Sequence, residues 1–94
     1  MVKTKRAHIL ISGVVQGVAF RYYTRYRAQQ LDLKGWVRNC PDGKVEILIE
    51  GEEEKVKKLI EWCHQGPPSA IVAELKVEWR EHHKGEYSDF NIVF

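Results

Sequence analysis

From Ala7 onward the apolar positions fall on every second residue, with Ala7, Ile9 and Ile11 on one side of a strand-like run that ends at Ser12. The period then changes. Phe20, Thr24, Ala28 and Leu31 share one side of a helix-like run that begins near Phe20. Gly35-Trp36-Val37-Arg38-Asn39 reads as a short strand closed by Cys40-Pro41-Asp42-Gly43, which sets Pro and Gly at the second and fourth positions of a type I turn. Residues 44–50 alternate again, Val45, Ile47 and Ile49 against Glu46, Leu48 and Glu50, and Gly51 is expected to close that strand. Glu52-Glu53-Glu54 opens a second helix with acids suited to its dipole. Val56, Leu59, Ile60 and Cys63 form its apolar stripe, and Glu53/Lys57 and Glu54/Lys58 are placed to pair. Gly66-Pro67-Pro68 stops it. Leu75, Val77 and Trp79 mark a fourth strand, and Phe90, Ile92 and Phe94 a fifth.

The order is β-α-β-β-α-β with one strand added. It predicts an α+β domain of ferredoxin-like type, an antiparallel sheet with two helices on one face and an additional C-terminal strand. In that topology the first two strands run the same way and finish at the same edge. The loop over residues 13–20 and the strand-ending Asn39 therefore meet there.

That loop is the chemically suggestive part of the chain. It holds Gly13 and Gly17 but no Ser, Thr, Asp or Asn able to cap the following helix. The first N–H groups of the helix are left without side-chain partners, beside glycines that let a ligand approach and beside Arg21. Free amides, a favourable dipole and a cation suit a phosphate group; a hydrated connecting turn is the plainer alternative. Residues 13–23 contain no Asp, Glu, His or Cys, so they offer neither nucleophile nor metal ligand. Gly13 and Gly17 stand too close for a P-loop and no Lys-Ser/Thr follows. A site made of donors alone can hold a phosphoryl group while water attacks, provided the leaving group departs easily. An acyl phosphate, whose leaving group is a carboxylate, meets that condition.

Gly13-Val14-Val15-Gln16-Gly17-Val18-Ala19-Phe20-Arg21 resembles the phosphate-binding motif of the acylphosphatase family, and Gly35-Trp36-Val37-Arg38-Asn39 resembles its second motif. Gly66-Pro67-Pro68-Ser69-Ala70 and Phe90-Asn91-Ile92 also resemble family segments, so the likeness covers nearly the whole chain. It implies that Arg21 binds the substrate phosphate together with the main chain of Val15, Gln16, Gly17, Val18, Ala19 and Phe20. It further implies that Asn39 orients the attacking water, and that neither metal nor cofactor is needed. Val14 departs from the basic or polar residue common there. An aliphatic residue at that position is also similar to the N-terminal domain of hydrogenase-maturation carbamoyltransferases, whose further domains a chain of 94 residues is not expected to hold.

Composition narrows the partners. Hydrophobic residues make up 44% and charged residues 30%, ordinary for one soluble domain, and a net charge of +2 gives no general attraction to nucleic acid. The apolar run behind Lys3, Lys5 and Arg6 is too short for a secretory segment or a membrane span. A cytoplasmic monomer acting on a small molecule is expected, with Cys40 and Cys63 as free thiols, although spacing leaves a disulfide between them open. The competing reading is a binding module. Tyr22, Tyr23 and Tyr26 with Arg25 and Arg27 could stack on bases, yet helical spacing divides them between core and solvated face. His82-His83 is poor chelating geometry, and His8 and His64 look isolated. Leu10, Trp36 and Leu48 are candidates for an apolar open face of the sheet.

Overall fold

The seven elements of the computed structural model, which describes residues 3–81 and 85–94, follow the predicted order. They are β1 (Thr4–Val14), α1 (Phe20–Gln30), β2 (Lys34–Asn39), β3 (Val45–Glu52), α2 (Glu53–Gln65), β4 (Ile71–Arg80) and β5 (Phe90–Ile92). The strands lie in the order β4-β1-β3-β2-β5. Ala7 faces Ile49, Ile9 faces Ile47 and Ile11 faces Val45, so the alternating apolar sets of β1 and β3 share one side. All six are buried, together with Phe20 and Ala28 of α1 and Val56, Leu59 and Cys63 of α2. Each large aliphatic in that layer contributes about 1.5–3 kcal/mol relative to exposure.

Several boundaries differ from the sequence pattern for tertiary reasons. β1 starts at Thr4 and β3 runs through Gly51 to Glu52, because Lys5 and Thr4 keep pairing with those two residues. β4 starts at Ile71, paired with Val14. The expected antiparallel sheet is mixed: β5 lies parallel to β2, with Gly35 beside Phe90 and Val37 beside Ile92. The direction follows from the path. β4 runs opposite to β1 and so ends where β2 begins, and β5 starts from that same end of the sheet. Cys40 and Cys63 are free thiols, as expected.

The open face of the sheet also departs from expectation. Leu48 is buried at 7% exposure, so it adds nothing to an apolar surface. Glu50, placed by alternation on the solvent side, is 2% exposed. It accepts hydrogen bonds from the Glu86 and Tyr87 N–H groups at 3.1 and 3.3 Å, and Arg6 Nη2 reaches Glu50 at 2.8 Å and Glu86 at 2.9 Å. Nor is His8 isolated: its Nε2 lies 2.6 Å from Glu46 Oε2, while Arg38 Nε donates to Oε1 at 2.5 Å. His64 is exposed, and His82-His83 lies outside the described residues. On α2, Lys57 is 3.6 Å from Glu53 and 3.3 Å from Glu54, while Lys58 has no ion pair among the described residues.

Burial alone would raise the Glu46 carboxyl, but its hydrogen bonds with His8 and Arg38 hold it below the ordinary carboxylate range. A lowered pKa contributes stability that is fully present above the unfolded value, about 4.3, and is lost as pH falls through the folded value. Glu46→Gln is therefore expected to destabilise the protein at neutral pH, with the difference from wild type shrinking as acid protonates Glu46. Urea midpoints across that range check this, and a difference that does not change with pH would count against it.

The end of β1 is shaped by Gly13. The β1–β4 register shifts between Ser12 and Gly13. Gly13 has φ +126°, and a Cβ there would lie 2.1 Å from the Ile71 carbonyl oxygen. No other residue fits this bulge without moving the backbone, and from it the chain leaves the sheet into the loop.

Candidate active site

Beyond the bulge, the main chain over residues 15–19 turns back to start α1. Gly17 has φ +75° with open space where a side chain would stand. Ala19, at φ 62° and ψ 23°, is the N-cap and makes no side-chain capping bond. The first helical hydrogen bond runs from Tyr23 N to Ala19 O at 3.1 Å. Among the described residues, no backbone N–H from 16 to 22 donates to a protein acceptor. The donors anticipated from the missing cap are thus present, at the positive end of the α1 dipole.

A cleft of about 220 Å³ opens beside them, lined by Val15, Gly17, Ala19, Phe20, Arg21, Tyr22, Asn39, Ile92 and Phe94. Val15 and Phe20 send their side chains into the core, Phe20 against Trp62 with ring centroids 5.5 Å apart, so what they can offer a ligand is main chain. The Arg21 guanidinium, in the first turn of α1, has neither ion pair nor hydrogen bond among the described residues. Its Cζ lies 5.6 Å from the Phe94 ring centroid, within cation–π reach. Asn39 enters from the end of β2, and its Oδ1 is buried without a hydrogen-bond partner. A buried acceptor left unpaired is unfavourable by about 1–3 kcal/mol.

Of the residues singled out in the sequence, Val15, Gly17, Ala19, Phe20, Arg21 and Asn39 border the cleft. Gln16 and Val18 do not line it. Val18 packs partly against the core, and the Gln16 side chain turns toward the β2–β3 connection. Val14 is half exposed and lies outside the lining. Tyr22, Ile92 and Phe94 were not foreseen as site residues. All three border the cleft, and Ile92 is brought there by the parallel docking of β5 on β2.

Burial pushes the Cys40 thiol up, away from the thiolate a nucleophile requires. Among the described residues no three His, Cys, Asp or Glu side chains gather as a metal site. The tyrosines of α1 are not divided between core and surface, since Tyr22, Tyr23 and Tyr26 are all exposed, and the Arg27 guanidinium is stacked 4.9 Å over Trp62.

A family model described as Acylphosphatase matches residues 7–92. An acylphosphatase of Pelotomaculum thermopropionicum is 52% identical over 89 residues, covering 95% of this chain and 96% of its own. The crystal structure of acylphosphatase from Bacillus subtilis is similar with a TM-score of 0.91 at 37% identity, over 96% of this chain and 99% of that one. Full-length HypF in a phosphate- and nucleotide-bound form is similar with a TM-score of 0.85 at 34% identity; the match covers all of this chain but 12% of that one.

Proposed function

The chain belongs to the acylphosphatase family and is a hydrolase of acyl phosphates, and we propose that Arg21, the loop amides and Asn39 divide the reaction among themselves. The phosphoryl oxygens accept hydrogen bonds from the free N–H groups of residues 16–22 and from the Arg21 guanidinium, whose planar fork can hold two of them at once. Asn39 Oδ1 accepts an O–H of the attacking water and so aims its lone pair at phosphorus. The water oxygen forms the new P–O bond as the bond to the acyl oxygen breaks, in line. The leaving group departs as a carboxylate, which is stable at neutral pH without a proton donor, and the surplus proton passes to solvent. Positioning and charge stabilisation account for most of the rate in such a transfer.

One observation supports this division of roles: Asn39, whose Oδ1 is buried without a hydrogen-bond partner among the described residues, borders the same cleft as Arg21 and the loop. The acyl group rests on the apolar side chains of Tyr22, Ile92 and Phe94 that border the cleft. The donors named are all neutral amides or a guanidinium, so the chemistry asks for neither metal nor cofactor. The enzyme is further read as a cytoplasmic monomer without a nucleic-acid partner. The net charge of +2 gives no general pull toward polyanions. Among the described residues, no helix is long and apolar enough to cross a membrane.

Hydrolysis of benzoyl phosphate in EDTA tests the metal-free proposal. Turnover is expected to be the same with and without the chelator. Loss in EDTA that returns on adding magnesium would refute it.

A further inference from the structure

The two halves of the proposed site hang from different parts of the sheet. The β1–β3 ladder stops at Ile11 and Val45. Beyond it β1 continues beside β4 alone, with Ser12 opposite Glu74, Gly13 opposite Val72 and Val14 opposite Ile71. The amide loop therefore springs from the β4 side. Asn39 belongs to the β2–β3 hairpin, whose turn is closed by Cys40 N–H to Lys44 O at 2.8 Å and Gly43 N–H to Cys40 O at 3.1 Å. Among the described residues, no backbone ladder joins the loop to this turn.

What joins them is a single side chain. Gln16 Nε2 donates to Cys40 O at 2.8 Å and to Lys44 O at 2.9 Å. Both amide protons are used, both partners are carbonyl oxygens, and each of those carbonyls already accepts one bond within the turn. Two acceptors also fix which end of the amide is nitrogen. Among the described residues these are the only hydrogen bonds between residues 13–19 and residues 40–44.

We infer that Gln16 is a positioning residue for the hydrolysis: its side chain clamps the phosphate cradle to the turn that follows Asn39, fixing where the bound phosphorus sits relative to the water that Asn39 holds. The inference rests on the roles proposed for the cradle and for Asn39. Its physical content is a distance. In-line attack needs phosphorus and water oxygen in near-contact and aligned, and a displacement of about 1 Å can lower a rate by about 10²-fold. Each half keeps its own internal bonds without Gln16, so anion binding to the cradle survives while its alignment with the water is lost.

The test compares Gln16→Met, which fills similar space without donors, in the wild-type and Asn39→Ala backgrounds. With benzoyl phosphate, Gln16→Met is expected to lower kcat by about 10- to 100-fold. Its KM and the inhibition constant of inorganic phosphate should change by less than about three-fold, because the cradle itself is intact. In the Asn39→Ala background the same substitution should have little further effect, since the group it aligns is gone. Gln16→Asn, whose shorter amide cannot span both carbonyls, gives the same readouts if the Met variant folds poorly. Equal losses in both backgrounds, or a rise in the phosphate inhibition constant that matches the loss in kcat, would overturn the inference. An Asn39→Ala enzyme with wild-type turnover would instead overturn the role of Asn39 itself, so the two failures are distinguishable.

Discussion

Arg21→Ala is expected to lower kcat/KM for benzoyl phosphate by about 10³- to 10⁵-fold, the range associated with removing an arginine from a phosphoryl-transfer site. The size follows from where the residue stands. Its guanidinium is half-buried in the first turn of α1 and, among the described residues, stands beside amides that donate to no protein acceptor and has the Phe94 ring rather than a carboxylate as its neighbour. Little of its charge is therefore neutralised before an anion arrives. Loss of the side chain removes a cation and two fork-shaped donors together. Arg21→Lys should recover a minor part, because an ammonium restores charge but not the planar pair of donors. Steady-state kinetics with both variants decides the matter; a fall smaller than ten-fold for alanine would remove Arg21 from the role of anchor.

Asn39→Ala should lower kcat by about 10²- to 10³-fold, as the loss of one preorganised polar partner does in other sites. KM should move little, because Oδ1 is assigned to water rather than to the acyl phosphate. Stability is expected to move the other way. The substitution deletes a buried acceptor that has no partner, so the unfolding midpoint should be unchanged or higher. A variant that is slower and at least as stable separates a functional role from a packing one. One that loses activity only in proportion to its loss of folded protein would speak for packing.

What could be read from the chain beforehand was what depends on near neighbours. The alternation of Ala7, Ile9 and Ile11 fixes a face locally, and the missing cap before Phe20 is visible as an absence of four residue types. Arg21 and Asn39 could be placed at one edge because strand direction follows from element order. Other features required the folded partner. Glu50 is buried because residues 86 and 87 arrive from another part of the chain, and His8 meets Glu46 across strands. Gln16 shows both kinds. Its backbone place in the loop was evident, but the carbonyls that its side chain binds are 24 and 28 residues away. The place of Ile92 at the cleft depended on the direction of β5, which alternation does not encode.

The strand order has one more effect on the site. β1 and β2, whose ends carry the loop and Asn39, are not adjacent; β3 lies between them. Two inter-strand steps of about 4.8 Å set a gap of roughly 10 Å between the root of the loop and the end of β2. That gauge belongs to the hydrogen-bonded lattice of the sheet and not to any side chain. Point substitutions can loosen the jaws on either side or change what lines them. Changing the span itself would take the insertion or loss of a strand, so the size of anion admitted is a property of the topology.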